Sequence, residues 1–414
     1  ASAGKGELFA DDLRAKLTAM GMPESHANRA RILETGPIAE ALDRQLRELR
    51  AERAVATAEP GISARPQGDA FYNWALRSST TTRLTPEEVH QQGLEELEEL
   101  HARMDPILRE IGYTSGSVGD RMQALSQDPR YKFAEGDLGR KQIMDFIAER
   151  LDWIRGQMPR AFHTLVDPNM EVRRIPPAEE VGAPGAYGGA GSKDGTIPGR
   201  FWINLRTTDL HRKYDLADLT FHETIPGHVW EGEYSNRLPL IRSVLAFNPF
   251  SEGWALYGEQ LADELGAYDE FVVGRLGYLQ SLAFRACRMV VDTGLHAMGW
   301  TRAQAIEFMT THVPIADDEA AVEIDRYIGM PGQALSYKIG QRELFRLRDD
   351  ARRRLGEAFD EPVLVSLDWG TERLRSPGPL PGGRQVAFVQ PARLVAVVEY
   401  LESIQSPRPT SYVP

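Results

Sequence analysis

Phe221-His222-Glu223-Thr224-Ile225-Pro226-Gly227-His228-Val229-Trp230 is the stretch that decides how the rest of the chain is read. When two His flank a Glu four residues apart on a helix, both imidazoles reach one cation from the same face and the carboxylate can act as a base. In this chain the second His follows the first by six residues. At about 100° and 1.5 Å per residue, an unbroken helix would turn His228 roughly 240° away from His222 and carry it about 9 Å along the axis. The two rings can meet one ion only if the helix breaks between them. Pro226 removes a backbone donor and clashes with the preceding turn, while Gly227 accepts unusual dihedrals, so the insertion itself supplies the break.

A His/His site for a catalytic zinc ion needs a third protein ligand and leaves the fourth position for water. Asn248-Pro249-Phe250-Ser251-Glu252-Gly253-Trp254 predicts a second helix, capped by Ser251, that carries Glu252 to that place. Glu259 lies two turns further on the same face and suits an outer position, orienting an imidazole.

Composition narrows the function classes. The 414 residues carry a net charge of −12, and no predicted element clusters Lys and Arg as phosphate contacts require, which excludes a nucleic-acid partner. The single cysteine, Cys287, permits no intrachain disulfide and no thiolate metal cluster. No run of eighteen apolar residues is present, so no membrane partner is expected. The chain opens at Ala1 without the apolar core of a signal peptide, which favours the cytoplasm but leaves the compartment open, as it leaves the oligomeric state.

Along the chain the apolar spacing is chiefly helical. Leu8 to Met20 and Asn28 to Val55 are amphipathic, and the Pro- and Gly-containing stretch from Glu59 to Gly68 interrupts them. Thr85-Pro86-Glu87-Glu88 is a capping box opening a long helix, and Thr301-Arg302-Ala303-Gln304 is another. Met170 to Pro176 and Arg200 to Leu205 alternate as strands do. Between them, Gly182 to Gly199 holds seven glycines, with Tyr187 as its aromatic side chain, and reads as a flap over a cleft. Phe201 to Leu205 is the candidate edge strand to hold a peptide. Arg285, Arg288, Asp292 and His296 form one polar stripe on a helix from Tyr268 to Met298, either a solvent face or a cleft wall. The cluster from Glu323 to Lys338, with Arg342 just beyond it, offers Tyr327 and Tyr337 as donors to a developing oxyanion, and Arg326, Lys338 and Arg342 as cations for a substrate carboxylate, with the Gln333 amide among them.

Several blocks taken together support a resemblance: STTTRLTPEEV from Ser79, HETIPGH from His222, SEGWALY from Ser251, VDTGLHAMGW from Val291 and RYIGMPGQALSYKIG from Arg326. Over Phe71 to Arg348 the chain resembles a large bacterial family filed as a domain of unknown function and held to be zinc-dependent and peptidase-like. That family is distantly similar to carboxypeptidase Taq and the thimet-type oligopeptidases. The resemblance implies a mostly α fold, helical and zinc-metallopeptidase-like, with a deep cleft and a small antiparallel β-element beside the active-site helix. It implies that His222, His228 and Glu252 hold one Zn²⁺, that Glu223 is the base, and that His296, Tyr327 and Tyr337 face the substrate. Tyr187, Arg326, Gln333 and Lys338 are the expected substrate-binding residues. The chain departs from family members in a shorter N-terminus and in its tail, so the expected organisation is a helical metallohydrolase domain over 1–360 and a tail of unclear role over 361–414. The expected function is hydrolysis of amide bonds in short peptides. A hydrolase or lyase acting on a non-peptide amide and an inactive binding module are the alternatives.

Overall fold

The structure is a computed structural model that describes residues 8–162, 165–177, 179–240 and 247–355. The tail expected over 361–414 lies outside the described residues. The contacts divide the chain into two compact units, Ala1–Glu59 and Pro60–Pro414. The division falls where Pro60 and Gly61 interrupt the helical pattern.

In the first unit, α1 (Leu8–Ala19) and α2 (Ser25–Leu33) lead through a π turn at Glu34–Ile38 into α3 (Ala39–Val55). Pro37 in that turn has no N–H to give. The Glu34 carboxylate accepts from the backbone N–H groups of Phe9 and Ala10, at 3.2 and 3.0 Å. Those are among the donors that the first turn of a helix leaves without an intrahelical partner.

The second unit contains α4 (Gly68–Thr80), α5 (Pro86–Glu110), α6 (Val118–Ser126), α7 (Gly136–Ala161), α8 (Lys213–Glu223) and α9 (His228–Asn236). It continues with α10 (Asn248–Glu264), α11 (Val272–Ala297), α12 (Arg302–His312), α13 (Asp317–Gly329) and α14 (Ser336–Leu355). Both expected capping boxes form, at Thr85 and at Thr301. α11 is the central element. Leu276, Leu279, Ala283, Ala286, Cys287 and Val291 are all within 2% of full burial, as a helix enclosed by other helices requires. α10 and α14 are joined along their length. Asn248 Nδ2 donates to Ser336 Oγ at 2.6 Å, Gln341 Nε2 to the Leu256 carbonyl at 3.2 Å, and Arg348 pairs with Glu264 at 2.8 Å. No described helix is long and apolar enough to cross a membrane.

Three strands, β1 (Met170–Arg174), β2 (Ala186–Gly189) and β3 (Gly199–Ile203), form a sheet in the order β1-β3-β2. β1 runs parallel to β3 and β2 antiparallel to it, so the β-element is mixed where an antiparallel one was expected. The extra strand comes from the middle of the glycine-rich stretch. β3, expected as the free edge, is paired on both sides and offers none. Its Phe201 and Ile203 pack on Ile143, Ile147 and Leu151 of α7 and on Leu216 of α8, which fixes the sheet against the helix carrying His222.

Candidate metal centre

α8 ends at Glu223, the chain turns through Thr224–Gly227 with a cis Ile225–Pro226 bond, and α9 starts at His228. The helix therefore breaks within the insertion. Gly227 is required there, because a Cβ on it would lie 1.8 Å from the His222 carbonyl oxygen. The Gly227 N–H donates to Phe221 O at 3.0 Å, the Trp230 N–H to Thr224 O at 3.0 Å, and Trp254 Nε1 from α10 to Pro226 O at 2.8 Å. The turn is thus held from both sides.

The break brings the two imidazoles to 4.9 Å between ring centroids, at 89° to one another. Each of His222, His228 and Glu252 offers a ligand atom, and these atoms all lie within 4.8 Å of one another. Glu252 Oε2 is 3.8 Å from His222 Nε2 and 3.4 Å from His228 Nε2. Ligands bound about 2.0–2.1 Å from a tetrahedral ion stand about 3.3 Å apart, so this donor set fits a zinc ion after small adjustments. The far side of each ring is also engaged. His222 Nδ1 lies 2.6 Å from Glu259 Oε1, whose other oxygen accepts from Ser281 Oγ at 3.0 Å, and His228 Nδ1 lies 3.4 Å from Ser251 Oγ. Such outer partners fix the tautomer and aim Nε2 inward. Ser251 does this from inside the first turn of α10, which begins at Asn248, and so does not cap the helix as expected.

Charge is distributed unevenly over the three groups. Burial holds His222 down to about 3, so its ring is neutral. Burial also opposes a charge on His228, but its hydrogen bond to Glu252 and the charge of that carboxylate outweigh it and raise His228 to about 9. Glu252, which burial alone would raise, is held at about 2 chiefly by the hydrogen bond from His228. The ion-free cluster is therefore a His228–Glu252 ion pair beside a neutral His222. A divalent cation would take the place of one proton.

Glu223 is 9% exposed, and its carboxylate has no hydrogen-bond partner among the described residues. β2 passes directly over it. A Cβ on Gly188 would lie 2.3 Å from Glu223 O and 3.1 Å from its Cβ.

Residues 3–362 match the family described as bacterial protein of unknown function (DUF885). The chain belongs to this family. A solved structure described as "the putative lipoprotein from Colwellia psychrerythraea" is similar to it at 33% identity and a TM-score of 0.84, over 98% of this chain and 68% of that one. A second, from Shewanella oneidensis, described as "a putative lipoprotein of unknown function", shares the fold at 19% identity and a TM-score of 0.64, over 94% of this chain and 70% of that one. No curated protein matches.

Most of the remaining candidate residues of this DUF885 chain have other partners. His296 is fully buried. Its Nδ1 accepts from the Ile62 N–H at 3.1 Å and its Nε2 donates to Tyr327 O at 3.0 Å, so neither nitrogen is left for a substrate. The Tyr327 hydroxyl donates to Glu323 Oε2 at 2.5 Å and accepts from Arg288 Nε at 2.8 Å. Arg326 is bound to Glu323 and to Gln333 Oε1, both at 2.9 Å, which also engages Gln333. Lys338, 4% exposed, pairs with Glu96 at 2.9 Å and donates to Gln341, and Arg342 pairs with Glu96 as well. Lys338 and Arg342 tie α14 to α5 through Glu96, and Arg326 is held by Glu323 of its own helix, so each cation already has a carboxylate. Tyr187 stacks on Trp202 at 6.3 Å and stands on the opposite face of β2 from Gly188, away from Glu223. Tyr337 is different, because its hydroxyl has no partner among the described residues and its ring lies 4.5 Å from the Arg288 guanidinium.

Arg288 is the residue the motifs alone did not single out. It is buried, Nε and Nη2 are held by Tyr327 and Glu323, and Nη1 has no partner among the described residues. Its charge is among those that stabilise ionised Glu252. The signal in the sequence was the polar stripe on α11, four residues inside an apolar helix.

Proposed function

We propose that this protein is a zinc-dependent hydrolase that cleaves amide bonds in short peptides. The observation that carries the reading is the convergence of three donor atoms, His222 Nε2, His228 Nε2 and Glu252 Oε2, with an unpartnered Glu223 beside them. A zinc ion held by these residues would supply Lewis acidity and bring the pKa of a water toward neutrality. The Glu223 carboxylate, which no group among the described residues engages, can take a proton from that water and return it to the leaving amine. Arg288 Nη1 and the Tyr337 hydroxyl are unengaged donors among the described residues of α11 and α14, and they suit the oxygen that gains charge as a carbonyl is attacked. Tyr327 and His296 hold Arg288 and the α13 backbone in place. β2, whose Gly188 rests on Glu223, is the backbone against which an extended substrate would lie. The near-complete burial of His222 and Glu223 favours a narrow substrate over a folded protein.

Elemental analysis combined with a peptide-cleavage screen tests this. The expected result is about one zinc per chain and cleavage abolished by a chelator. In Glu223→Gln the metal should remain and turnover should fall by about 10²–10⁴. A metal-free protein, or full turnover in that variant, would overturn the reading.

A further inference from the structure

The three candidate ligands are not equally exposed. The side chains of His228 and Glu252 are 14% and 17% exposed against 5% for His222, so an approaching molecule meets the His228 side first. At about 100° per residue, His228, Glu231, Gly232 and Ser235 share an arc of about 100° on α9, the helix that begins with His228. Glu231 stands one turn beyond His228, close enough for its charge to act on that imidazole. The chain leaving β2 passes over the same turn, where a Cβ on Gly232 would lie 2.2 Å from the Cβ of Ala190. Gly188, two residues earlier, rests on Glu223. Two residues of strand span about 7 Å, so the backbone from Gly188 to Ala190 leads from the candidate base to the turn that carries Glu231.

The Glu231 carboxylate is only half engaged. Oε1 accepts from Ser235 Oγ at 2.7 Å, whereas Oε2 has no partner among the described residues and is not closed to solvent. Glu231 makes no ion pair with a described cation. Cations on and beside this helix serve backbone carbonyls instead: Lys193 donates to Asn236 O at 2.6 Å and to Leu238 O, and Arg237 donates to Leu165 O at 3.4 Å. Burial raises the pKa of Glu231, against the hydrogen bond from Ser235 and the charge of His228. A carboxylate drawn partly out of water without a counter-ion is costly, and a ligand that brings a cation relieves that cost.

We propose that Glu231 receives a cationic group of the substrate, so that the protein selects amides with a positive charge within about two residues of the bond placed at the metal centre. This inference rests on the hydrolase reading for its second half and on the placement of Glu231 for its first. The cation can be the amino terminus of a peptide or a basic side chain.

Calorimetry on the Glu223→Gln protein, with zinc supplied, distinguishes these sources with three probes: alanyl-phenylalaninamide, its N-acetyl derivative, and N-acetyl-lysyl-phenylalaninamide. One or both cationic probes should bind at least about tenfold more tightly than the uncharged N-acetyl-alanyl compound, and whichever does so names the source. Adding Glu231→Gln should abolish the preference. Glu231→Asp, which keeps the charge and shortens the reach, should retain part of it, and melting temperatures check that both variants fold. Equal binding of all three probes, no binding of any, or a preference that survives Glu231→Gln would overturn the proposal. So would loss of zinc from a folded Glu231→Gln protein, which would make Glu231 a support of the metal centre. A cation preference lost with Glu231→Gln in a protein that holds no metal would sink the hydrolase reading and leave the cation site standing. A metal-bearing, active protein without the preference would do the reverse.

Discussion

Two buried clusters built around histidine depend on the same helix, and they differ in how their polar atoms are used. Toward the C-terminal end of α11, Asp292 accepts from the Tyr72 hydroxyl at 2.6 Å and from the Gly332 N–H at 3.1 Å, and His296 has an acceptor for its proton and a donor for its lone pair. Every group there meets its complement. Nearer the N-terminal end, Ser281 supports Glu259 and through it His222, but the inward atoms of His222, His228 and Glu252 are all acceptors unless a proton or a cation lies among them. Burial of histidine is common to both clusters. What marks a site is convergence of lone pairs with nothing of the opposite kind between them.

The largest test exchanges the roles. His228→Ala should reduce bound zinc from about one per chain to background, because two ligands do not hold a catalytic ion. His296→Ala should leave the metal in place and instead destabilise the fold by about 2–4 kcal/mol, since it abandons a buried donor and a buried acceptor. Elemental analysis and denaturant titration of both variants read the outcome. Metal loss in a folded His296→Ala protein would erase the distinction between the clusters.

A smaller effect follows from the proton that stands in for the ion. In chelated protein, the folded pKa of His228 is raised to about 9, above an unfolded value of about 6.5, so its contribution is fully present below pH 6.5. It is lost as pH climbs from about 6.5 to 9, by at most about 3 kcal/mol, and the depression of Glu252 is the same interaction and adds nothing further. Urea unfolding of metal-stripped protein across this range should show the decline, and His228→Gln should flatten it. Zinc should remove it too, by displacing the proton.

The order of these clusters could be read from the sequence only in part. The helix break was legible because six residues between His222 and His228 are incompatible with one face, and Glu252 and Glu259 because their spacing places both on the face of one helix. The capping boxes at Thr85 and Thr301 were legible because their bonds are local. His296 and the Lys338 and Arg342 cations were not, since their partners, Ile62 and Glu96, come from elsewhere in the chain. A cation on one line of sequence looks the same whether it is paired or free. The β2 strand was hidden for another reason: Gly188 and Gly189 lack the alternation that announces a strand, and β2 exists because β3 offers an edge to pair with.

A third test weakens the metal centre without removing a ligand. Glu259→Gln keeps the size of the side chain and loses the charge that orients His222 through Nδ1 at 2.6 Å. Zinc affinity should fall by about 10–100-fold with the fold intact, as measured by competition with a chromogenic chelator. An unchanged affinity would mean that Glu259 fills space and does not aim the imidazole.

The smallest effect has the opposite sign to that of His228 and comes from the satisfied cluster. Burial lowers the pKa of His296 below 6.5, while its hydrogen bond to the Tyr327 carbonyl partly resists. A depressed histidine contributes stability that is present above its unfolded pKa and lost as pH falls toward the folded value, so acid should weaken the fold below about pH 6.5. The structural reason is that a second proton on Nδ1 would face the Ile62 N–H and replace a hydrogen bond with a clash of donors. In zinc-loaded protein, where the His228 proton is absent, unfolding measured between pH 6.5 and 5 should decline, and His296→Gln should reduce the slope there while leaving zinc content alone. An unaltered acid slope in that variant would place the titration elsewhere and make His296 a packing residue only.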